Sequence, residues 1–216
     1  MKMNLNNKIF LLHTTHKIID YFERLVKTNL PDSSLYHLLD ETILEDITTG
    51  DMDRASRKLR SLLDSTEEAS RVVVTCTSTG ELIDTLPLEI QKRITRIERP
   101  ALNTILKRYK KPGIVFTNKT VWKQFQRILK QMKTNENMFA PLYVPNAFNE
   151  MLKGNFKLHD IMIDKYLRSN TGTYDSYLLA QVSICSATDR GYLKDLSIPV
   201  INISEACIKE LKKLQK

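Results

Sequence analysis

Short apolar runs alternate with amphipathic segments along the whole chain. Residues 8–12 form an apolar run that predicts a strand buried on both faces. Between residues 17 and 28 the apolar side chains recur at helical spacing, which predicts a helix with one face turned to a core. A short polar turn separates the two segments. The first two predicted elements are therefore a strand and, after this turn, a helix.

The same two patterns recur further along the sequence. Predicted strands cover residues 8–12, 34–39, 72–75, 94–98, 113–116, 139–144, 177–182 and 198–203. Predicted helices cover residues 17–28, 40–47, 81–85, 100–110, 121–132, 145–152 and 158–167, with further helices after residue 51, up to about residue 193 and after residue 204. Asp51 and Ser204 are expected to cap their helices, because short polar side chains accept hydrogen bonds from free N-terminal N–H groups.

The alternation of strands and helices predicts the α/β class, with mainly parallel sheets flanked by helices. Residues 113–132 repeat the design of residues 8–28: a buried strand, a hydroxyl-rich turn and an amphipathic helix. This repeat predicts two similar lobes, which we expect to face one cleft.

The most informative stretch centres on Cys76. The apolar run at residues 72–75 ends at this cysteine, and the small polar residues 77–79 separate it from the next predicted helix. In open α/β sheets ligands bind at the carboxyl ends of the strands, and a helix N-terminus lowers the pKa of a nearby thiol. Cys76 is therefore a candidate reactive cysteine. The alternative is that it fills the core as a small apolar side chain.

Three further strand ends carry small polar side chains. These are His13 with Thr14, residues 117–120, and Gln181 with Ser183. Hydroxyl and backbone N–H donors that meet at one sheet edge suit a carboxylate. A cysteine beside such donors could act as a general base or a nucleophile.

Two other polar positions have alternative interpretations. The spacing of His13 and His16 is compatible with a metal site, but no third ligand lies nearby in the sequence, so we predict no metal and expect His13 to line the carboxylate pocket. Asp40 could contact a substrate amine or could provide negative charge at a helix N-terminus. The sequence leaves both roles of Asp40 open.

The chain carries a formal net charge of +8, which is compatible with nucleic acid, an acidic surface or small anions as partners. Its Lys and Arg residues are spread along predicted helices without interleaved aromatic residues, so we interpret them as solvated helix faces and disfavour a nucleic-acid partner. Neither the dinucleotide fingerprint GxGxxG nor the P-loop motif GxxxxGK[ST] is present.

The three cysteines, Cys76, Cys185 and Cys207, are an odd number without CxxC spacing. This argues against a disulfide framework and against a cysteine-based zinc site. The N-terminal apolar run is too short for a signal peptide or a membrane span, so we expect a cytoplasmic protein without a membrane partner.

Several segments resemble the aspartate/glutamate racemase superfamily. They are VVVTCTSTGELID (residues 72–84), RIERPALNTI, GIVFTNKTV and YLLAQVSICSATDRGYLKDLSIPVINISEA (residues 177–206), with the opening IFLLHTT and LLDETILEDI (residues 38–47). The resemblance spans nearly the whole chain. It looks closest to a branch with AQ-x-S in place of the second-lobe cysteine motif.

The resemblance implies a cofactor-independent enzyme of two pseudo-symmetric lobes with the active-site cleft between them. It places residues 1–98 and 200–216 in the first lobe and residues 99–199 in the second. Family members remove a proton next to a carboxylate with one cysteine and return one with another, and Cys76 matches the first. The residues expected to bind the substrate are His13, Thr14, Thr77, Ser78, Thr117, Asn118, Thr120, Gln181 and Ser183.

The second lobe departs from the family pattern, because Gln181 stands at the place of the second cysteine. Glutamine has no proton to exchange near neutral pH, and Cys185 lies one helical turn further along, where we expect it in the core. Two-base racemisation is therefore not expected. The remaining one-cysteine reactions are isomerisation through a thioether, as in related maleate isomerases, and decarboxylation with enantioselective protonation, as in related arylmalonate decarboxylases.

The sequence thus predicts a racemase-like enzyme that acts on a small carboxylate, an amino acid or a dicarboxylate, with Cys76 as base or nucleophile and with no cofactor. The alternative is a non-catalytic anion sensor on the same fold, and the missing second cysteine favours it. We expect a homodimer only because of the resemblance to this family.

Overall fold

The computed structural model describes residues 8–66 and 71–214. The strands are β1 (Lys8–His13), β2 (Ser34–Leu39), β3 (Arg71–Val74), β4 (Ile94–Arg96), β5 (Pro112–Phe116), β6 (Ala140–Tyr143), β7 (Ser176–Leu179) and β8 (Val200–Asn202). The helices are α1 (Ile19–Asn29), α2 (Thr42–Thr49), α3 (Met52–Asp64), α4 (Gly80–Asp84), α5 (Leu88–Arg93), α6 (Arg99–Arg108), α7 (Lys119–Gln131), α8 (Ala147–Leu152), α9 (Phe156–Ser169), α10 (Val182–Asp189) and α11 (Ile203–Leu214).

The strands form two separate parallel sheets. The order is β2-β1-β3-β4 in the first sheet and β6-β5-β7-β8 in the second, and every neighbouring pair runs parallel. Counted from the first strand of each sheet, the two orders are the same. The predicted α/β class with parallel sheets flanked by helices is therefore confirmed.

The chain divides into two compact units. The first unit contains the residues up to Arg99 and those from Cys207 onward, and the second is Pro100–Ala206. The second border falls inside α11, so this helix begins in the second unit and continues in the first. The sequence placed the borders at 98/99 and 199/200.

One hydrophobic core of the first unit lies between its sheet and α3. Leu12 and Val74 on adjacent strands pack in one buried cluster with Leu59 and Leu63 of α3. Burying one such aliphatic side chain contributes about 1.5–3 kcal/mol. The predicted apolar stripe of α3 is confirmed, and it holds this helix against the strand that leads to Cys76.

β5, one of the two inner strands of the second sheet, is buried along its whole length. A Cβ atom added to Gly113 would lie 2.5 Å from Cδ1 of Leu142 and 3.3 Å from the ring of Tyr177. Glycine therefore lets β5 lie close to the side chains of both neighbouring strands. The pairing of β5 with β7, in which Val115 lies opposite Leu179, places the carboxyl ends of the two strands side by side.

One of the two predicted helix caps is confirmed and the other is wrong. Asp51 Oδ1 accepts a hydrogen bond from the Arg54 backbone N–H at 3.1 Å, as expected for the cap of α3. At α11 the capping side chain is Asn202, whose Oδ1 accepts from the N–H groups of Ser204 at 2.9 Å and Glu205 at 3.2 Å. Ser204 is fully buried in the first turn. Asn and Ser are both good caps, so the sequence did not separate them.

Several predicted boundaries move in the structure. β7 ends at Leu179 and not at residue 182, and Val182 belongs to the first turn of α10 rather than to the strand. The same helix ends at Asp189 and not near residue 193, because Gly191, directly after the capping residue, has a positive φ of 91°. Helices do not continue through such left-handed positions.

Two differences concern residues 81–98. The helix predicted from residue 81 begins at Gly80, after a 3-10 turn over Thr77–Thr79. Helix α5 was not predicted, because it has only six residues and Leu88 is 70% exposed, which leaves no periodic apolar stripe.

No helix among the described residues is long and apolar enough to cross a membrane. Residues 1–7, which contributed to the prediction about a leader segment, lie outside the described residues.

Candidate functional site

Cys76 lies directly after β3, at the carboxyl end of the first sheet. The ladder between β1 and β3 extends one residue further, because the Thr75 N–H donates to the Leu12 carbonyl at 3.0 Å. After Cys76 the chain turns into the 3-10 segment, where the Thr79 hydroxyl donates to the Cys76 carbonyl at 2.7 Å. The turn therefore holds the Cys76 backbone at the end of a buried strand.

The Cys76 thiol is surrounded by hydrogen-bond donors. It receives hydrogen bonds from the Thr14 hydroxyl, from the backbone N–H groups of Ser78 and Thr79, and from the Ser78 hydroxyl. These donors come from the ends of two adjacent strands, β1 and β3. Donors of this kind stabilise a thiolate more than a thiol. Thr14 and Ser78, which the sequence assigned to substrate binding, thus contact the candidate reactive atom.

Burial raises the pKa of the Cys76 thiol above its ordinary value, and the surrounding donors oppose this rise only in part. The expectation of a lowered pKa was therefore wrong. The other two cysteines differ from Cys76, because Cys185 and Cys207 are fully buried and burial raises the pKa of each to about 12. Cys76 is the one cysteine of the three that retains solvent exposure.

His13, the last residue of β1, has partners for both of its ring nitrogens. Its ring is fully buried and packs at 5.9 Å from the ring of Phe22. Nδ1 lies 3.0 Å from the Thr75 hydroxyl and Nε2 lies 3.0 Å from Nδ1 of His37. Burial and the charge on His37 lower the pKa of His13 to about 3. The buried His13 ring is therefore uncharged near neutral pH.

The other polar groups near the first turn have local partners. His16 Nδ1 lies 2.9 Å from a carboxylate oxygen of Glu41, so His13 and His16 do not face each other. Asp40 Oδ1 accepts from the Thr42 N–H at 2.9 Å at the start of α2, which is its helix-terminal role. Among the described residues no three His, Cys, Asp or Glu side chains lie close enough to hold a metal ion.

In the second unit, the predicted carboxylate loop lies at the carboxyl ends of β5 and β7. Oε1 of Gln181 accepts hydrogen bonds from the Thr117 N–H at 2.6 Å, the Thr117 hydroxyl at 3.1 Å and the Asn118 N–H at 3.1 Å. Asn118 Oδ1 accepts from the Thr120 N–H at 3.0 Å and the Thr120 hydroxyl at 2.9 Å, which caps α7. The polar groups predicted to hold a carboxylate therefore bind one another.

The remaining candidates of the second unit lie on α10. Ser183 is buried in its first turn. The Cys185 thiol donates to the Leu179 carbonyl at 3.6 Å within the core, where the sequence placed it. Neither the amide of Gln181 nor the buried thiol of Cys185 can act as an acid–base catalyst near neutral pH.

The sequence reading missed a buried charge cluster that connects α9 and α10. Arg190 donates to both oxygens of Asp160, at 2.6 and 2.8 Å, and His159 Nδ1 lies 2.7 Å from the same carboxylate. Burial alone would raise the pKa of Asp160, but the hydrogen bonds from Arg190 and His159 hold it below its usual value. The sequence did contain a signal for this cluster, because positions 159 and 160 lie on the same helix face as the buried residues Ile163 and Leu167.

The whole described fold is similar to solved racemase structures. Glutamate racemase from Francisella tularensis in complex with D-glutamate matches with a TM-score of 0.71 at 14% identity, over 98% of this chain and 81% of that one. Allantoin racemase from Pseudomonas fluorescens matches with a TM-score of 0.68 at 13% identity, over 96% and 90%. Aspartate racemase from Picrophilus torridus matches with a TM-score of 0.67 at 13% identity, over 96% and 93%.

These matches show that the chain has the fold of the aspartate/glutamate racemase superfamily. No protein-family model matches the sequence, and no curated protein matches it.

Proposed function

We propose that this protein is a cofactor-independent enzyme of the racemase or isomerase type that acts on a small carboxylate through Cys76. The observation that carries the proposal is the donor-lined thiol of a partly exposed cysteine at the carboxyl end of β3. A cysteine that only filled the core would be enclosed and surrounded by apolar side chains, as free cysteines usually are. The racemase fold supports the reaction class.

The first unit supplies the chemistry in this proposal. The raised pKa means that the free protein holds Cys76 as a thiol near neutral pH. When the thiol gives up its proton, hydrogen bonds from Thr14 and Ser78 stabilise the thiolate. Cys76 can therefore donate a proton to a carbanion next to a carboxylate or remove one, and the thiolate can act as a nucleophile. Thr77 and Ser78 are proposed to help hold the carboxylate.

The second unit offers no counterpart to Cys76 in this scheme. Gln181 cannot exchange a proton near neutral pH, and Cys185 is enclosed. We therefore propose chemistry that needs one cysteine, and not two-base racemisation. Isomerisation through a thioether and decarboxylation followed by protonation are the two reactions that need only one cysteine.

The experiment is solvent exchange with a panel of small carboxylates. Amino acids, hydroxy acids and dicarboxylates are incubated with the protein in deuterium oxide, and deuterium next to the carboxylate is measured by proton NMR and mass spectrometry. For a subset of the panel we expect deuterium incorporation without inversion, isomerisation, or loss of carbon dioxide. Cys76→Ala should lose this activity. The matched control is Cys185→Ala, which removes a thiol outside the site. Incorporation that survives Cys76→Ala would contradict the proposal.

A non-catalytic anion sensor is the second candidate. The raised pKa of Cys76 and the place of Gln181 favour it, because neither supplies a ready base at neutral pH. A sensor would bind members of the same panel without any deuterium incorporation or product formation. Binding measured by calorimetry beside the exchange experiment therefore separates the two candidates.

A further inference from the structure

The Gln181 side chain is held by three donors from one short turn. The N–H groups of Thr117 and Asn118 and the Thr117 hydroxyl all point to its single oxygen, at 2.6, 3.1 and 3.1 Å. Gln181 is 9% exposed. An amide oxygen has two lone pairs, so three donors saturate it.

The donors also decide which way the amide lies. The oxygen and nitrogen of a glutamine amide are assigned from hydrogen bonds, and two backbone N–H groups can only donate. The oxygen of Gln181 must therefore face Thr117 and Asn118. Its Nε2 group has no hydrogen-bond partner among residues 8–66 and 71–214, so the side chain is held through its oxygen.

Three donors around one oxygen are the environment that a carboxylate oxygen requires. Adjacent backbone N–H groups in a turn form a concave anion site, and a hydroxyl next to them adds a third donor. Here the turn follows β5, and Gln181 reaches it from the end of the neighbouring strand β7, whose Ala180 N–H donates to the Val115 carbonyl at 3.0 Å. The paired strands thus deliver the glutamine to the turn.

We propose that the turn at Thr117 and Asn118 is a carboxylate site that the chain itself occupies with the Gln181 amide oxygen. The neutral oxygen replaces one oxygen of a ligand carboxylate and excludes that ligand from the turn. Gln181 is therefore a specificity-determining residue, which restricts carboxylate binding by the second unit. This inference goes beyond the proposed function, since it holds whether or not Cys76 reacts.

Amide NMR on the intact chain tests this inference. Proton–nitrogen spectra of the wild type, Gln181→Ala and Gln181→Met are recorded while sodium acetate replaces sodium chloride at constant ionic strength. In Gln181→Ala, which vacates the turn, we expect the Thr117 and Asn118 amide signals to shift in a saturable way. In the wild type these signals should not titrate. In Gln181→Met, whose side chain fills the same space without an acceptor, acetate affinity should be at least tenfold weaker than in Gln181→Ala.

Two results would overturn the inference. One is that the wild-type Thr117 and Asn118 signals titrate with acetate as strongly as those of Gln181→Ala, because Gln181 would then not occupy the turn. The other is that folded Gln181→Ala shows no saturable shift at these amides. If Gln181→Ala does not fold, the wild-type titration still decides: unresponsive signals with slow amide hydrogen exchange support the inference, and titrating signals contradict it. These outcomes do not depend on Cys76. They would be the same if the protein exchanged no deuterium into any carboxylate of the panel.

Discussion

His13 Nε2 lies 3.0 Å from Nδ1 of His37, between the carboxyl ends of β1 and β2. The Thr75 hydroxyl donates to the Leu12 carbonyl at 2.9 Å, so its oxygen is left to accept from Nδ1 of His13 at 3.0 Å. Nε2 of a neutral His13 then accepts a hydrogen bond from His37. In this arrangement His13 is uncharged, and burial together with the charge on His37 disfavours a second proton on its ring.

We predict that the protein loses stability on acidification because of His13. Its pKa is lowered to about 3 in the folded state by burial and by the charge on His37, whereas an unfolded histidine titrates near 6.5. The unfolded state therefore binds more protons between these values, so stability falls as the pH falls from about 6.5 towards 3. The loss between pH 7 and pH 5 should be about 2 kcal/mol.

Urea unfolding of the wild type and His13→Asn at both pH values measures this contribution. We expect the variant to lose much less stability than the wild type between the two conditions. The matched control is His16→Asn, because the His16 side chain is 59% exposed and should leave the wild-type pH dependence in place. Equal acid sensitivity in the wild type and His13→Asn would contradict the prediction.

The buried charge cluster of Asp160, Arg190 and His159 should contribute strongly to stability. Asp160 is fully buried and bound by Arg190 and His159, so Asp160→Ala leaves a guanidinium without its carboxylate. We expect the free energy of unfolding to fall by about 3–5 kcal/mol. Urea or thermal unfolding provides the measurement.

The control for Asp160 is an exposed ion pair in the first unit. Glu23 pairs with Lys27 one helical turn away, and both side chains are solvent-exposed. Glu23→Ala should have a much smaller effect, because water already screens that pair. A similar loss in both variants would show that burial does not determine the contribution of these charges.

Gly113→Ala should destabilise the second unit by steric overlap. The new Cβ would lie 2.5 Å from Cδ1 of Leu142 in the buried sheet, and overpacking of this kind costs about 1–3 kcal/mol. Leu142→Ala removes the atom that the new methyl group meets. In a double-mutant cycle the pair should therefore be more stable than the sum of the single effects. Strict additivity would contradict the assigned contact.

The sequence predicted the framework because each buried strand carries its signal locally. The apolar runs at residues 8–12 and 113–116 and the stripe of α3 were each sufficient to place their elements. The prediction was less accurate for short elements. Helix α5 has no apolar stripe. The start of α10 lies inside an apolar run that is equally typical of a strand, so residues 180–182 were assigned to the strand that ends at Leu179.

The site was predicted less completely, because side-chain direction depends on contacts between distant residues. Sequence position placed Cys76 at a strand end, but its raised pKa results from burial that spacing does not report. The polar groups at 117–120 were read as free donors for a ligand. Their acceptor, Gln181, lies more than sixty positions away and meets them only through the pairing of β5 with β7.

The rate at which Cys76 is alkylated should depend on pH through the raised pKa of its thiol. Because its pKa lies above the ordinary cysteine value, the labelling rate should still rise with pH where a free cysteine has reached its plateau. Thr14→Val removes one donor to the sulfur and should shift the profile to higher pH. A profile that matches free cysteine, and that Thr14→Val leaves in place, would contradict the described thiol environment.

The most direct test of the account is site-resolved alkylation of the native protein with iodoacetamide, with and without saturating small carboxylates. We predict that peptide mass spectrometry finds the label at Cys76 first, that Cys185 and Cys207 react only after unfolding, and that at least one carboxylate slows labelling of Cys76. If Cys76 stays as unreactive as the two buried cysteines, or if no carboxylate changes its rate, the proposed role of this thiol is contradicted.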